Sequence, residues 1–496
     1  MTQTASDPDQ TDHAAGGVLG ARIGLGLGLA AFALMQVLGP PEGLDNKAWQ
    51  VLSLLALMII WWISEAIPVA ATALLPLALL PVLGIVKPIE AAAPYADPII
   101  FLFIGGFMIA VAIERSGLHR RIALGVLSVV GSSPAAIVGG FMLATTLLSM
   151  WISNTATALM MTPIALAVCA AATGPGPDQR KLMAACVLGV AYGASIGGLG
   201  TPVGSPTNLI GLRWLEANGV GLSFPQWMMM GVSIILVMVP LAWLLLTRVF
   251  YRLPRHLADA KAHEVIKAQN RSLGPMRRAE VRVIIIFLGV ALAWMFREPL
   301  TKLPGLSGLT DMVIAIIGAC LLFMVPAGKP ERPGKALLDW DSAERIPWGI
   351  AILFGGGLSM AAAMEATGVT LYIGSQIEGI GALPLVAIIL IIVAATVFAS
   401  ELASNVATLT AMLPVLSAIV TATGADPLIV GASATFAASL GFMLPIATAA
   451  NAIAYATGAP RQAEMLRIGF LLNVLGIVAI ATAVALIGPR LMMEAN

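Results

Sequence analysis

Long runs of apolar residues, separated by short polar segments, make up most of the chain from residue 20 to residue 488. A helix of about 20 apolar residues spans a bilayer core, and only helices and closed barrels satisfy the backbone in lipid. These runs are too long and too continuously apolar for the alternating strands of a barrel. The pattern therefore predicts about eleven transmembrane helices, over 20–38, 48–63, 69–84, 98–114, 182–200, 226–250, 281–296, 309–326, 347–364, 427–447 and 465–488.

Two other apolar blocks, 134–172 and 383–422, carry a polar cluster at their middle, SMWISNT in the first and SELASNV in the second. Each block is roughly twice the length of a single span. Ser and Asn are favoured N-cap residues, so they are expected to open a second half-helix at the cluster. Each block is therefore predicted to be a re-entrant hairpin of two half-helices.

Two further helices, 182–217 and 427–457, are predicted to be broken, because Thr201–Asn208 and Pro445–Asn451 combine Pro, small residues, Ser or Thr, and Asn. Such a break releases backbone carbonyls from helical pairing. Released carbonyls together with Ser and Asn oxygens form a hard-oxygen site that suits Na⁺.

The two halves of the chain resemble each other. FIGGFMIAVAIERSGL at 103–118 aligns with FGGGLSMAAAMEATGV at a shift of 251, and PVGSPTNLI at 202–210 aligns with PIATAANAI at a shift of 243. An odd number of predicted crossings separates the copies, so they are expected to be inverted. Inverted repeats with interrupted helices are typical of secondary transporters. The shift of 251 also pairs Ser149 with Ser400, Ser153 with Ser404, Asn154 with Asn405, Thr157 with Thr408 and Pro163 with Pro414.

The polar segments and the charges predict the domain organisation. Residues 1–17 are expected to be a disordered cytoplasmic tail, 18–250 the first half, 251–280 a cytoplasmic linker, and 281–496 the second half. With the N-terminus in the cytoplasm and each hairpin returning to its own side, all but six of the 27 Lys and Arg residues lie on the cytoplasmic side. The six exceptions are Lys47, Lys87, Arg213, Arg297, Lys302 and Arg490.

Composition supports a multi-pass membrane protein. Hydrophobic residues are 59% of the chain and charged residues 11%, whereas soluble proteins have about 25% charged residues. The net charge is +1 and there is no basic tract, which argues against a nucleic-acid partner. The three cysteines and four histidines have no metal-site spacing, and no HExxH, GxSxG or Walker motif is present.

The hairpin tips suggest an anion site. Half-helix N-termini attract anions, and neither the tips nor the breaks contain Lys or Arg. Cations at two repeated sites would therefore supply the positive charge around an anion between them. Glu401 adjoins the polar cluster of the second hairpin, although its repeat partner is Met150, and a role in proton coupling is one interpretation of it. The glycine pairs 105–106 and 356–357 are most simply explained by close helix packing.

At these motifs the sequence resembles the divalent-anion:sodium symporter family, which includes dicarboxylate, citrate and sulfate carriers. The likeness covers nearly the whole chain beyond the tail. It is carried by WWISEAIPVAATALLPLALLPVLGI (61–85), YADPIIFLFIGGF (95–107), SNT (153–155), ASIGGLGTPVGSPTNLI (194–210), IPWGIAILFGGG (346–357), SNV (404–406) and FMLPIATAANAI (442–453).

The resemblance implies a homodimer in the inner membrane, with a scaffold domain and a transport domain that moves like an elevator. It implies no organic cofactor and at least two Na⁺ sites. By position, the Na⁺ ligands would be Ser149, Ser153, Asn154 and Gly204 in the first site and Ser400, Ser404, Asn405 and Ala447 in the second. The substrate would contact Ser153, Asn154, Thr155, Ser205, Pro206, Ser404, Asn405, Val406, Thr448 and Ala449.

Some positions depart from the family pattern. Val406 stands where Thr is frequent, Ser205 replaces a frequent Thr, and Thr207 and the pair Ala449-Ala450 stand where Pro is common. A broken helix without proline can partly reform its hydrogen bonds.

The sequence leads to Na⁺-coupled symport of C4-dicarboxylates such as succinate, malate or fumarate. A Na⁺-independent dicarboxylate or citrate exchanger and a sulfate carrier are alternatives. A passive channel is a further alternative. A remote one is an intramembrane serine protease using Ser153 or Ser404, which would need a general base in reach. All four histidines fall in polar stretches, so no enzyme and no catalytic residue is predicted.

Overall fold

The computed structural model of the chain describes residues 8–129, 131, 133–173, 176–254, 261–328, 334–376 and 384–495. Within these ranges the fold is all-helical, and an isolated bridge between Pro326 and Ala336 is the only β pairing. In chain order the helices are α1 Pro8–Leu38, α2 Asn46–Ser64, α3 Val69–Thr72, α4 Leu75–Val82, α5 Pro88–Ala92, α6 Pro98–Ser116, α7 Leu118–Val129, α8 Pro134–Ser149, α9 Asn154–Ala172, α10 Pro177–Gly197, α11 Pro206–Ala217, α12 Phe224–Leu244, α13 Lys261–Ser272, α14 Arg278–Met295, α15 Arg297–Thr301, α16 Asp311–Met324, α17 Trp340–Ala343, α18 Trp348–Thr367, α19 Val369–Gln376, α20 Leu385–Leu402, α21 Asn405–Thr423, α22 Pro427–Ala438, α23 Ala449–Ala456 and α24 Gln462–Ala495.

Among the described residues, eight helices are long and apolar enough to cross a membrane. Shorter apolar helices account for part of the difference from the predicted eleven. The predicted span 69–84 divides into α3 and α4 because the chain turns at Ala73 and Leu74, and the predicted span 427–447 ends as a helix at Ala438. The all-α membrane fold is confirmed, while the number of crossings stays a prediction. The eight candidate spans are Gly20–Leu38, Asn46–Ser64, Pro88–Ser116, Asn154–Ala172, Phe224–Phe250, Trp348–Thr367, Asn405–Thr423 and Gln462–Leu491.

The helix boundaries follow the internal repeat. Helices α9 and α21 begin and end at positions that differ by 251, and α7 and α19 also begin at that shift. Helices α11 and α23 begin at the second shift of 243. The repeat therefore includes the residues at which the second half-helices begin, after the hairpin turns and after the breaks.

Four segments differ from the sequence prediction. Helix α1 begins at Pro8, so residues 8–17 are helical rather than part of a disordered tail, whereas 1–7 lie outside the described residues. Adding a residue to an existing helix costs far less than starting one, and proline is well accommodated in a helix's first turn. The predicted linker 251–280 contains helix α13, an amphipathic helix that contacts α7 and α9. Helices α7 and α19 were not predicted as separate elements.

The contacts divide the chain into two compact units. Unit 1 comprises 1–100, 347–383 and 410–425. In it, α18 packs on α2, α3, α4 and a 3₁₀ turn, Ala93–Ala96. A Cβ on Gly356 would lie 2.7 Å from the Cβ of Ala73, and Ser359 donates a hydrogen bond to the Ala91 carbonyl over 3.0 Å. This close approach confirms the packing role predicted for the second glycine pair.

Unit 2 comprises 101–346, 384–409 and 426–496. Its core holds α10 and α22, the first halves of the two broken helices. Helix α10 is buried from Leu182 to Gly197 except at Met183, and α22 is buried from Leu428 to Ala438. Helix α10 packs on α8, α9, α12 and α23, and α22 packs on α11, α20 and α24. Both helices are rich in Ala and Gly, and small residues let helix backbones approach closely in a membrane.

We expect Gly197→Ala to destabilise unit 2, because the new Cβ would lie 2.8 Å from the Cα of Thr146 on α8. Overpacking of this kind costs about 1–3 kcal/mol. The measurement is thermal unfolding of the detergent-purified protein. Gly125→Ala is the matched control, since no atom of the described residues, apart from the backbone of its own helix, lies within 4 Å of a Cβ there. Equal unfolding temperatures for Gly197→Ala and the unchanged chain would contradict this packing.

Candidate functional site

The first hairpin turns between α8 and α9, and a serine caps the second half-helix. The Ser153 hydroxyl accepts a hydrogen bond from the Ala156 amide over 3.2 Å. In the second hairpin the Ser404 hydroxyl accepts one from the Ala407 amide over the same distance. Both serines are half-buried. The two half-helices therefore begin in the same way, with the N-cap that the sequence predicts.

Three oxygen atoms converge beside the first tip. The buried Ser149 hydroxyl lies 2.6 Å from Asn154 Oδ1 and 2.8 Å from the Ala194 carbonyl oxygen of α10. A serine hydroxyl carries one proton. It can therefore donate to the amide or to the carbonyl, and one of the two oxygen pairs lacks a proton between its members.

The second tip repeats this cluster. The Ser400 hydroxyl lies 2.8 Å from Asn405 Oδ1 and 2.7 Å from the Ala438 carbonyl oxygen at the end of α22. Hydroxyl, amide and backbone oxygens are ligands that hard cations prefer. Among the described residues, no three His, Cys, Asp or Glu side chains come together as metal ligands. The donor set thus suits an alkali cation better than a transition metal.

The loop of the first broken helix runs back against the first tip. A Cβ on Gly198 would lie 2.8 Å from Asn154 Oδ1, and a Cβ on Gly204 would lie 2.7 Å from the Gly198 carbonyl oxygen and 3.0 Å from that of Met150. The structure therefore brings Asn154 and Gly204, two of the predicted first-site ligands, to the same place. Neither glycine has room for a side chain there.

The second loop makes a similar approach. A Cβ on Gly441 would lie 3.1 Å from the Cβ of Ala447, 3.5 Å from Cγ2 of Thr448 and 3.6 Å from the Ser400 carbonyl oxygen. The predicted second-site ligands Ser400 and Ala447 are thus neighbours of the same glycine.

Two asparagines related by the repeat, Asn208 and Asn451, hydrogen-bond to the loops of the broken helices. Asn208 Nδ2 donates to the carbonyls of Gly198 and Thr201 over 2.7 and 2.8 Å. Each of these three residues has a repeat partner at a shift of 243, and Asn451 Nδ2 accordingly donates to Gly441 and Leu444 over 2.9 and 3.0 Å. The sequence predicts that these asparagines offer side-chain oxygens to a cation. In the structure their amide nitrogens donate hydrogen bonds to carbonyls released by the break, while both Oδ1 atoms are buried without a hydrogen-bond partner in the described structure.

The predicted substrate positions differ in exposure. Thr155 and Ala449 are exposed, Pro206, Val406 and Thr448 are half-buried, and Ser205 is buried. Thr448 also caps α23 by accepting a hydrogen bond from the Asn451 amide over 3.1 Å. All the predicted ligand and substrate positions belong to unit 2.

A chain of hydroxyl groups joins the two broken helices inside unit 2. Ser205 Oγ lies 2.7 Å from Thr207 Oγ1, which lies 2.8 Å from Ser439 Oγ at the end of α22. Sequence reasoning missed Ser439. The substitution of Thr207 for a frequent proline, noted as a departure, has a structural consequence here, since proline could not form this link.

Glu401 is a positioning residue for the second loop. Its buried carboxylate accepts hydrogen bonds from the backbone amides of Phe442, Met443 and Leu444, over 2.7, 2.9 and 3.0 Å. It also accepts one from Asn473 Nδ2 over 2.6 Å. Four donors compensate a buried negative charge. The sequence raised proton coupling for Glu401, whereas the geometry gives it a structural use. In the sequence, the signal for this structural role is the position of Glu401 next to the Ser-Asn motif of the second hairpin.

The equivalent contact in the first half uses other groups. Met150 occupies the position of Glu401 in the repeat, and Thr201 occupies that of Leu444. There the Thr201 hydroxyl donates to the Met150 carbonyl. The two halves thus preserve a tip-to-loop contact with different chemistry.

We expect Glu401→Gln to lower the unfolding temperature, because a neutral amide would turn its NH₂ toward donors or leave them unpaired. An unsatisfied buried donor costs about 1–3 kcal/mol. The measurement is thermal unfolding in detergent at two pH values above the range in which carboxylates titrate. Glu365→Gln is the control, since Glu365 is exposed. If Glu401→Gln unfolds like the control, the loop does not depend on this carboxylate.

Comparisons with known proteins agree with this architecture. A sodium-dependent dicarboxylate transporter of Staphylococcus saprophyticus is 38% identical over 480 residues, covering 95% of this chain and 92% of the relative. A protein of the same name in Staphylococcus aureus strain USA300 is 36% identical over 479 residues. The YdaH transporter structure from Alcanivorax borkumensis has a TM-score of 0.55 at 14% identity, covering 91% of this chain and 99% of that one. That likeness shows a shared fold.

The family comparison covers nearly the whole chain. The family model described as the sodium:sulfate symporter transmembrane region matches residues 22–493. Its members and the relatives above are transporters, so the chain is a multi-pass membrane transporter and not an enzyme, as predicted. The chain belongs to the divalent-anion:sodium symporter family.

Proposed function

We propose that this protein is a Na⁺-coupled symporter that brings C4-dicarboxylates such as succinate, malate or fumarate into the cell. The observation that carries the proposal is the repeated oxygen cluster at the two hairpin tips. In each copy a single serine proton faces an amide oxygen and a carbonyl oxygen. A cation placed among the three oxygens would supply the missing positive charge.

The cation ligands follow from this geometry. Ser149, Asn154 and the Gly204 backbone would hold one Na⁺, with Ser153 at the same tip. Ser400, Asn405 and the Ala447 backbone would hold the other, with Ser404 beside them. Each cluster contains only neutral oxygen donors. Neutral donors suit a monovalent cation whose charge remains available to attract an anion.

The dicarboxylate would lie at the N-termini of α9 and α21. Thr155 and Val406 follow the two capping serines, while Ser205, Pro206, Thr448 and Ala449 lie at the starts of α11 and α23. The tips and loops contain no Lys or Arg. Helix N-termini and bound cations would therefore supply the attraction for the carboxylates.

Coupling would arise through linkage. A cation that orders a tip raises the affinity for the anion, and the anion raises the affinity for the cation by the same factor. Because each cation cluster joins a tip to α10 or α22, cation binding would also fix the tips on the core of unit 2.

The remaining features of the proposal concern assembly and motion. The division of the chain into two compact units supports an elevator mechanism in which one unit carries the site. A homodimer in the inner membrane, with the N-terminus in the cytoplasm, follows from the family resemblance and from the distribution of Lys and Arg.

Labelled succinate uptake into proteoliposomes tests the transport reaction. We expect accumulation driven by an inward Na⁺ gradient and little uptake when K⁺ replaces Na⁺. Malate and fumarate should compete, and sulfate should not. Uptake that ignores Na⁺ but responds to preloaded succinate would identify an exchanger and refute the coupling. Competition by sulfate alone would refute the substrate class.

The cation clusters are tested separately. We expect Ser149→Ala and Ser400→Ala each to raise the half-saturating Na⁺ concentration about tenfold, which corresponds to about 1.4 kcal/mol. Loss of one ligand would have a smaller effect on succinate affinity at saturating Na⁺. Ser233→Ala is the matched control, because Ser233 lies on α12 and its hydroxyl donates to the Met229 carbonyl of the same helix. Unchanged Na⁺ dependence in both variants would place the cations elsewhere.

A further inference from the structure

A basic cavity lies in unit 2 apart from the hairpin tips. It has a volume of about 450 Å³ and is lined by the first turns of α10 and α24 and by the chain that follows α12. We use the name basic cavity for this space. Its polar lining residues are Arg180, Lys181, Tyr251, Arg461, Glu464 and Arg467.

The single carboxylate among these lining residues is already occupied. The Glu464 carboxylate accepts hydrogen bonds from both terminal nitrogens of Arg180, over 2.8 and 3.2 Å. It also accepts hydrogen bonds from the Tyr251 hydroxyl over 3.1 Å and from the Arg461 backbone amide over 3.0 Å. Burial, reinforced by the neighbouring carboxylate, raises the pKa of Tyr251, so its hydroxyl keeps the proton that it donates. Glu464 therefore organises the wall and neutralises Arg180.

Three cations then remain on the wall. They belong to Lys181, Arg461 and Arg467. Lys181 lies 3.6 Å from Asp178, but both side chains are substantially exposed, and such pairs are weak in water. Guanidinium groups bind phosphate through paired hydrogen bonds, which lysine adds to as a point charge. The excess of positive charge at one cavity selects an anion, and its guanidinium content favours a phosphate group.

An apolar face leads away from the cavity along α24. Leu466, Phe470, Val474 and Val478 are each between 37% and 56% exposed and recur every fourth residue. Side chains at this spacing share one face of a helix. The face extends for about 18 Å at 1.5 Å per residue, a distance that suits an acyl chain and that a free inorganic anion would not use.

The position of the cavity also suits a membrane headgroup. Helix α24 is a candidate membrane span that begins at Gln462, so the cavity lies at the end of a span. All four cavity cations are among the Lys and Arg residues that the sequence predicts on the cytoplasmic side, where basic pockets between membrane helices bind anionic headgroups.

We propose that the basic cavity binds the phosphate headgroup of an anionic phospholipid, whose acyl chain lies along the exposed face of α24. Arg461 and Arg467 would contact the phosphate, and Lys181 would add positive charge. Glu464 would hold Arg180 and the start of α24 in place. This site is independent of the Na⁺ and dicarboxylate positions, and its test does not use transport.

Native mass spectrometry of the full-length protein provides the test. The detergent-purified protein is titrated with phosphatidylglycerol or with phosphatidylcholine that carries the same acyl chains. We expect selective retention of phosphatidylglycerol. Arg461→Gln with Arg467→Gln should weaken it roughly thirtyfold, because two cations that attract an anionic lipid are lost. Lysine at both positions should restore much of the binding, and Arg490→Gln, at the far end of α24, should change nothing.

Salt and phosphate arms make the outcome decisive even if the double variant fails to fold. For the unchanged protein, raising NaCl to about 1 M, where the screening length is about 3 Å, should reduce phosphatidylglycerol retention to that of phosphatidylcholine. Equal retention of the two lipids at low salt would overturn the proposal. Displacement of the lipid by millimolar inorganic phosphate would overturn it too, and would identify a free-anion site.

Discussion

A helix that is interrupted inside a buried core leaves backbone groups that need partners, and this constraint governs unit 2. Bulk water is absent from such a core, so each interruption must supply its own hydrogen bonds. Ser153 and Ser404 cap the half-helices of the hairpins, and Asn208 and Asn451 collect carbonyls freed by the broken helices. The carbonyls of Ala194 and Ala438 instead face serine hydroxyls, and these are the oxygens that a cation could share.

The repeat preserves geometry more closely than chemistry. Both halves join the C-terminal end of the first half-helix of a hairpin to the loop of the broken helix. The first half uses the Thr201 hydroxyl and the Met150 carbonyl, while the second uses the Glu401 carboxylate and three consecutive amides. The second loop begins its next half-helix with alanines where proline is common in the family. A carboxylate that binds successive amides restrains such a loop through hydrogen bonds rather than through a fixed backbone angle.

Charge is distributed according to the cost of burying it. The tips and loops have neutral oxygens and one carboxylate with four donors, because an uncompensated buried charge is expensive. Arginine and lysine are concentrated at helix ends, where Arg180 pairs with Glu464 and Arg121 pairs with Glu280. In the proposed function, this separation of fixed cations from the anion positions would make anion binding depend on mobile cations, which is the property that a symporter requires.

The sequence by itself determined the class of fold, the repeat, the four interruptions and the capping serines, because each depends on local composition and spacing. It also predicted that Ser149, Asn154, Ser400 and Asn405 lie at the hairpin tips, for the same reason. The tertiary structure alone decided that the Ala194 and Ala438 carbonyls complete the two clusters, that Ser439 joins Thr207, and that Glu401 binds amides more than 40 residues away. Such contacts join segments that are distant in sequence, and a hydrophobic pattern records which face of a helix is buried but not which residue it meets.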